Sequence, residues 1–155
     1  MMRHFRTESD LLVELPNDLA SIEQAVDFVM RECPSCPHDP KKIRLNFRVS
    51  LIEALSNAML YGNAKDPAKR VRLEVTFSHH SIEAKISDEG GGFDPKGVPD
   101  PTKLPQLLEP TGRGIFLMRE LLDDVFYNDR GNTVTLVLHL DPSAGGSTQE
   151  GGARA

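Results

Sequence analysis

Apolar and polar residues alternate over VRLEVTFSH (71–79) and again over SIEAKISD (81–88), with a short turn at His79–His80. Strand side chains point alternately to opposite faces. Two such runs across a short turn therefore predict an antiparallel hairpin with one buried face. DLLVEL at 10–15 and NTVTLVLHL at 132–140 read as two further strands. Elsewhere the period lengthens. Leu19, Ile22, Val26 and Val29 recur at helical spacing, with Asn17 or Asp18 placed to cap the helix. Ile43, Phe47, Leu51, Ala54, Leu55 and Ala58 make the apolar stripe of a second, longer helix, which Asp39 and Pro40 can start and Gly62 can end. A third helix is predicted over GRGIFLMRELLDDVF (112–126), with Ile115, Leu117, Met118, Leu121 and Leu122 facing inward.

The predicted order is strand, helix, helix, strand, strand, loop, helix, strand. It implies an α+β fold: a two-layer sandwich with helices on one face of a mixed, mostly antiparallel sheet. Residues 10–140 read as one domain, 1–9 as an N-terminal extension and 141–155 as a low-complexity, disordered tail. Residues 95–111 hold five prolines and no clean periodicity, which marks a long irregular loop of the kind that serves as a lid.

Composition narrows the function. Lys and Arg total 18 against 23 Asp and Glu, a formal net charge of −5, which argues against nucleic acid or an anionic membrane as the main partner. No apolar run approaches the roughly 18 residues that cross a bilayer, and the N-terminus lacks the apolar core of a signal peptide, so a cytoplasmic location is expected. Cys33 and Cys36 form C-x-x-C. A structural zinc site needs four ligands, and beyond His38 no fourth is evident; Pro34 and Pro37 also break the helix a redox motif would open. They read as loop thiols.

The chemistry concentrates elsewhere. Asn46, Ser50, Glu53 and Asn57 fall on one stripe of the second helix. A solvated face would suit Asn46 and Ser50. It suits Glu53 and Asn57 less, because their surroundings are apolar and a buried carboxylate needs a partner or a task. A carboxamide oxygen can ligate a hard cation such as Mg²⁺, and a glutamate one turn away can take a proton or orient a water. Downstream, DEGGGFD (88–94) follows a strand and opens no evident helix, so it is neither a dinucleotide fingerprint nor a P-loop. TGRGIFLM (111–118) looks like a helix N-terminus preceded by glycines. Its backbone N–H groups could receive a phosphate beside Arg113, or Thr111 could simply cap the helix.

EALSNAMLYGN, DEGGGFD and TGRGIFLM, in that order, resemble the three boxes of the GHKL ATP-binding superfamily. That superfamily includes sensor histidine kinases and type II topoisomerases. The form of the first box and the compact length most resemble the anti-sigma factor serine/threonine kinases. The resemblance covers about residues 10–140 and implies the Bergerat α/β sandwich. It implies ATP and Mg²⁺ as ligands. Asn57 would hold the metal, and Glu53 would be the general base. Asp88 would bond the exocyclic amine of adenine, with Gly90 and Gly92 letting the backbone close under the base. Residues 95–111 would be the ATP lid, and Thr111, Gly112, Arg113 and Gly114 would meet the phosphates. Thr133 would sit near the adenine-binding aspartate. Tyr61 stands where the family usually has histidine, and Pro110 where sporulation-type members carry arginine. The implied partners are a STAS-domain anti-anti-sigma protein, a sigma factor and a second copy of the chain. Two alternatives remain: a non-catalytic, nucleotide-dependent binding module, and a detached histidine-kinase ATPase domain.

Overall fold

The computed structural model describes residues 2–6, 10–33, 41–91 and 110–140. They form a six-stranded sheet of order β1-β2-β3-β4-β6-β5. The strands are β1 (Arg3–Arg6), β2 (Asp10–Pro16), β3 (Arg70–Phe77), β4 (Ser81–Asp88), β5 (Asp124–Tyr127) and β6 (Thr133–His139). Every neighbouring pair is antiparallel. The helices are α1 (Ala20–Glu32), α2 (Arg48–Asn57) and α3 (Pro110–Leu121). Wide π-type turns extend α2 at both ends, over Lys42–Phe47 and Ala58–Gly62.

The alternation seen in the sequence is the burial pattern of the sheet. Leu11, Val13 and Leu15 of β2, Val71, Leu73 and Val75 of β3, and Ile82, Ala84 and Ile86 of β4 are all buried. They meet Ile22, Ala25, Val26 and Val29 of α1 and Leu51, Ala54 and Leu55 of α2 in one core. The opposite sheet face carries Arg72, Glu74, Glu83 and Lys85, with an Arg72–Glu74 ion pair at 3.8 Å. The two-layer α+β sandwich expected from the element order is therefore the observed fold.

Several local expectations change. β1 precedes the strand that the pattern puts first; Arg3 to Arg6 pair with Glu14 to Leu11, a register that four residues without clear alternation do not announce. The third helix stops at Leu121, and Asp124–Tyr127 turns back as edge strand β5 against Val134–Val137. Pairing with β6 outweighs a helical pattern already weakened at Asp123–Asp124, whose Asp123 carboxylate instead accepts the His139 N–H at 2.6 Å. Leu117 is exposed rather than inward. Ser50 is fully buried rather than solvated, while Asn46, Glu53 and Asn57 of the same stripe are partly buried. Neither candidate cap sits at the N-cap, which is Leu19; the Asp18 carboxylate accepts the Ala20 N–H at 3.1 Å just ahead of the helix. Asn17 bonds elsewhere. The Asp39–Pro40 start, Cys36, the lid and the tail lie outside the described residues.

Candidate nucleotide site

Three segments converge at the C-terminal end of α2. The first is α2 itself. Glu53 and Asn57 stand one turn apart on it, both half-buried. The second is the end of β4, where Asp88 lies on the same face as buried Ile86 and so points toward the helices. The third is the first turn of α3, which contains Gly114.

Glycines set the spacing among them. A Cβ on Gly114 would stand 2.8 Å from Glu53 Oε1 and 2.9 Å from Asn57 Nδ2, so α3 crosses this pair at backbone distance. A Cβ on Gly62 would overlap the Asp88 carboxylate, and one on Gly90 would overlap the Gly62 carbonyl oxygen. Gly91 has open space around its Cα. Gly62 thus does more than end a helix. The π-type turn carries it against Asp88, and only a residue without a side chain fits there.

Burial pushes the Asp88 carboxyl above the usual carboxylate range, while the Gly90 N–H and the Lys69 ammonium pull it back. Gly90 N–H donates to Asp88 Oδ1 at 2.8 Å, leaving Oδ2 on the Gly62 side. The Asp88 N–H itself is tied to the Asn132 carbonyl at 2.9 Å. Burial likewise raises the Tyr127 phenol, with the Arg119 charge opposing and the Asp88 charge reinforcing the shift. Asn57 Nδ2 is buried with no hydrogen-bond partner. A buried amide donor left unpaired costs about 1–3 kcal/mol, so this one is a candidate for ligand contact.

The structure therefore brings together Glu53, Asn57 and Gly114, and beside them Asp88 and Gly90. Thr111, Gly112 and Arg113 lie in the opening turns of α3, which starts at Pro110. Gly92 is outside the described residues. Thr133 pairs with Ser87, next to Asp88 in the sheet, but its side chain takes the other sheet face. Its hydroxyl donates to Ser87 Oγ at 3.0 Å, and Ser87 projects from the sheet face opposite Ile86 and Asp88. Sequence reasoning missed Asn63 and Tyr127. Asn63 closes the first box, yet no role is assigned to it from the sequence, because its partners Asn17, Arg70 and Glu89 are remote in the chain. Tyr127 directly follows the stretch read as helix and carries no local pattern of its own.

Residues 15–138 match the histidine kinase-like ATPase domain family. The chain belongs to that family. Family membership bears out the GHKL resemblance and implies ATP as the ligand of the glycine-lined site. The chain is 33% identical to an anti-sigma F factor of Anoxybacillus flavithermus and 33% identical to that of Bacillus subtilis, over 59% of this chain and 66% of each relative. A Bacillus licheniformis anti-sigma F factor is 32% identical over the same shares. The matches thus span just under two thirds of those relatives' length.

Proposed function

We propose that this protein is an ATP-dependent serine/threonine kinase of the anti-sigma type. It would phosphorylate a STAS-domain anti-anti-sigma partner and hold a sigma factor. The observation that carries the reading is the Glu53–Asn57 pair under Gly114, with the Asn57 Nδ2 donor buried and unpartnered. A module that only bound nucleotide would have no use for a carboxylate poised there. The similarity to proteins called anti-sigma F factors supports the choice of partners.

In this reading Asp88 accepts a hydrogen bond from the exocyclic amine of adenine. Gly90 and Gly92 let the backbone approach the base. Gly112, in the opening turn of the helix, offers a free backbone N–H to the phosphates, Gly114 lets the helix backbone lie close to Glu53 and Asn57, Arg113 adds charge and Thr111 shares the opening turn. Thr133, whose hydroxyl is held by Ser87 on the other sheet face, supports the strand beside Asp88 rather than touching the base. The residues present fit a magnesium ion. Among the described residues no group of three or more His, Cys, Asp or Glu could hold a metal. A lone carboxamide oxygen from Asn57 suits a cation that takes its remaining ligands from water and phosphate. Magnesium supplies charge neutralisation at the phosphates. Glu53 takes the proton of the incoming serine hydroxyl as its oxygen bonds to the γ-phosphorus and the bond to the β-phosphate breaks. Pairing of two copies through the charged sheet face or β1 would complete a homodimer. No described helix is long and apolar enough to cross a membrane, and a sigma-binding role belongs in the cytoplasm.

The test is incubation with Mg-ATP and a cognate STAS-domain protein, read as phosphoserine. Transfer lost in Glu53→Gln with ATP affinity retained is the expected result. Tight ATP binding with no transfer to any cognate partner would instead favour a non-catalytic binding module. Transfer to histidine would favour a detached histidine-kinase domain.

A further inference from the structure

Asn63 is fully buried, and its carboxamide joins three separate segments. Nδ2 donates to the Arg70 carbonyl at 3.0 Å, where β3 begins, and to Asn17 Oδ1 at 3.2 Å. Oδ1 accepts the Glu89 N–H at 2.7 Å, immediately after Asp88. Arg70 N–H in turn donates to Glu89 Oε1 at 2.8 Å. Asn63, Arg70 and Glu89 therefore form a closed ring of hydrogen bonds. Asn17 props the ring from behind: its own Nδ2 donates to the Asp66 carbonyl at 3.0 Å and the Met59 carbonyl at 3.3 Å. Those two carbonyls fix the orientation of the Asn17 amide, which leaves its oxygen for Asn63. The Asn63 amide is then fixed as well, because only its nitrogen can face Asn17 Oδ1 and the Arg70 carbonyl.

The ring sits where the tolerances are smallest. Gly62, one residue before Asn63, abuts the Asp88 carboxylate, and Gly90, one residue after Glu89, abuts the Gly62 carbonyl. The Asn63–Glu89 bond lies between those two close approaches and sets their spacing. We propose that Asn63 is a positioning residue that holds the Asp88–Gly90 turn in register with the end of α2 and so sets base recognition. The inference rests on the reading of Asp88 as the base contact. Only a carboxamide meets the demand for one acceptor and two donors. An aspartate there would aim oxygen lone pairs at the Arg70 carbonyl and at Asn17 Oδ1.

The test compares Asn63→Asp, Glu53→Gln and Asp88→Asn, with ATP, GTP and inorganic tripolyphosphate as titrants in calorimetry and thermal unfolding as the folding check. Asn63→Asp is expected to weaken ATP about tenfold or more and to erode the preference for ATP over GTP, with tripolyphosphate binding unchanged. A purely structural role would not separate base from phosphate in this way. Glu53→Gln should leave that preference intact. A folded Asn63→Asp with wild-type ATP affinity, while Asp88→Asn loses ATP, overturns the positioning role alone. An Asp88→Asn that keeps ATP affinity overturns the base-contact reading and this inference with it. Should Asn63→Asp not fold, the wild-type Glu89 amide decides. Slow hydrogen exchange, slowed further by ATP, supports the role, and free exchange with and without ATP overturns it.

Discussion

The Asp88 carboxylate occupies the space that a side chain on Gly62 would need. The place of the carboxylate at the end of β4 thus depends on a missing atom just past the end of α2, 26 residues earlier by the numbering of the chain. Gly62→Ala should push the carboxylate aside. Overpacking of this kind costs about 1–3 kcal/mol. The variant is expected to unfold at lower temperature and to bind ATP about tenfold more weakly. Gly91→Ala is the control: with open space around it, calorimetry and melting should give values within about 0.5 kcal/mol of the parent.

Asp88 sets function against stability. Its pKa is raised by burial, so the folded state binds its proton more readily than the unfolded chain does. The favourable contribution is therefore fully present below the unfolded pKa of 3.8 and lost as pH rises through the higher folded value. At pH near 7 the ionised carboxylate is desolvated and costs stability. Asp88→Asn should raise the melting temperature of the nucleotide-free protein near neutrality, with the gap to the parent narrowing as pH falls toward 4, while ATP binding is abolished. Paired melting curves across pH and one titration check both halves.

Gly114→Ala separates helix propensity from turnover. Alanine inside a helix is favoured over glycine by about 1 kcal/mol. Here the added Cβ would stand 2.8 Å from Glu53 Oε1 and 2.9 Å from Asn57 Nδ2. ATP turnover is expected to fall at least about tenfold, with a melting temperature no lower than a few degrees below the parent's. A steady-state assay beside a thermal scan resolves the two effects.

Ser50 is fully buried, and its hydroxyl has no partner. Removing an unsatisfied polar group from a core costs little and can stabilise. Ser50→Ala should match or exceed the parent in urea by up to about 1 kcal/mol, with unchanged ATP affinity. A destabilised variant would mean that the hydroxyl is satisfied in solution.

Much of the fold was legible in the sequence because burial imposes a period. The β3–β4 hairpin, β6 and the apolar faces of α1 and α2 follow directly from alternation and helical spacing. The boxes that hold Glu53, Asn57, Asp88, Gly90 and Gly114 were legible through a resemblance: three short local stretches in a fixed order match those of a known superfamily, where no one of them decides the chemistry alone. Edge strands β1 and β5 were not. A four-residue edge has too few positions to show a period, and its hydrogen bonds come from a neighbour.

The sequence by itself determined the layers, the helix faces and the candidate chemistry, because these depend on residue type and on neighbours a few positions away. Only the tertiary structure decided what each side chain met across the fold. It turned Thr133 toward Ser87 and buried Ser50. It set Gly62 against Asp88 and closed the ring through Asn63, Arg70 and Glu89. Those relations depend on the register of strands and on a π-type turn, which distant hydrogen bonds and packing select and no local run of residues encodes.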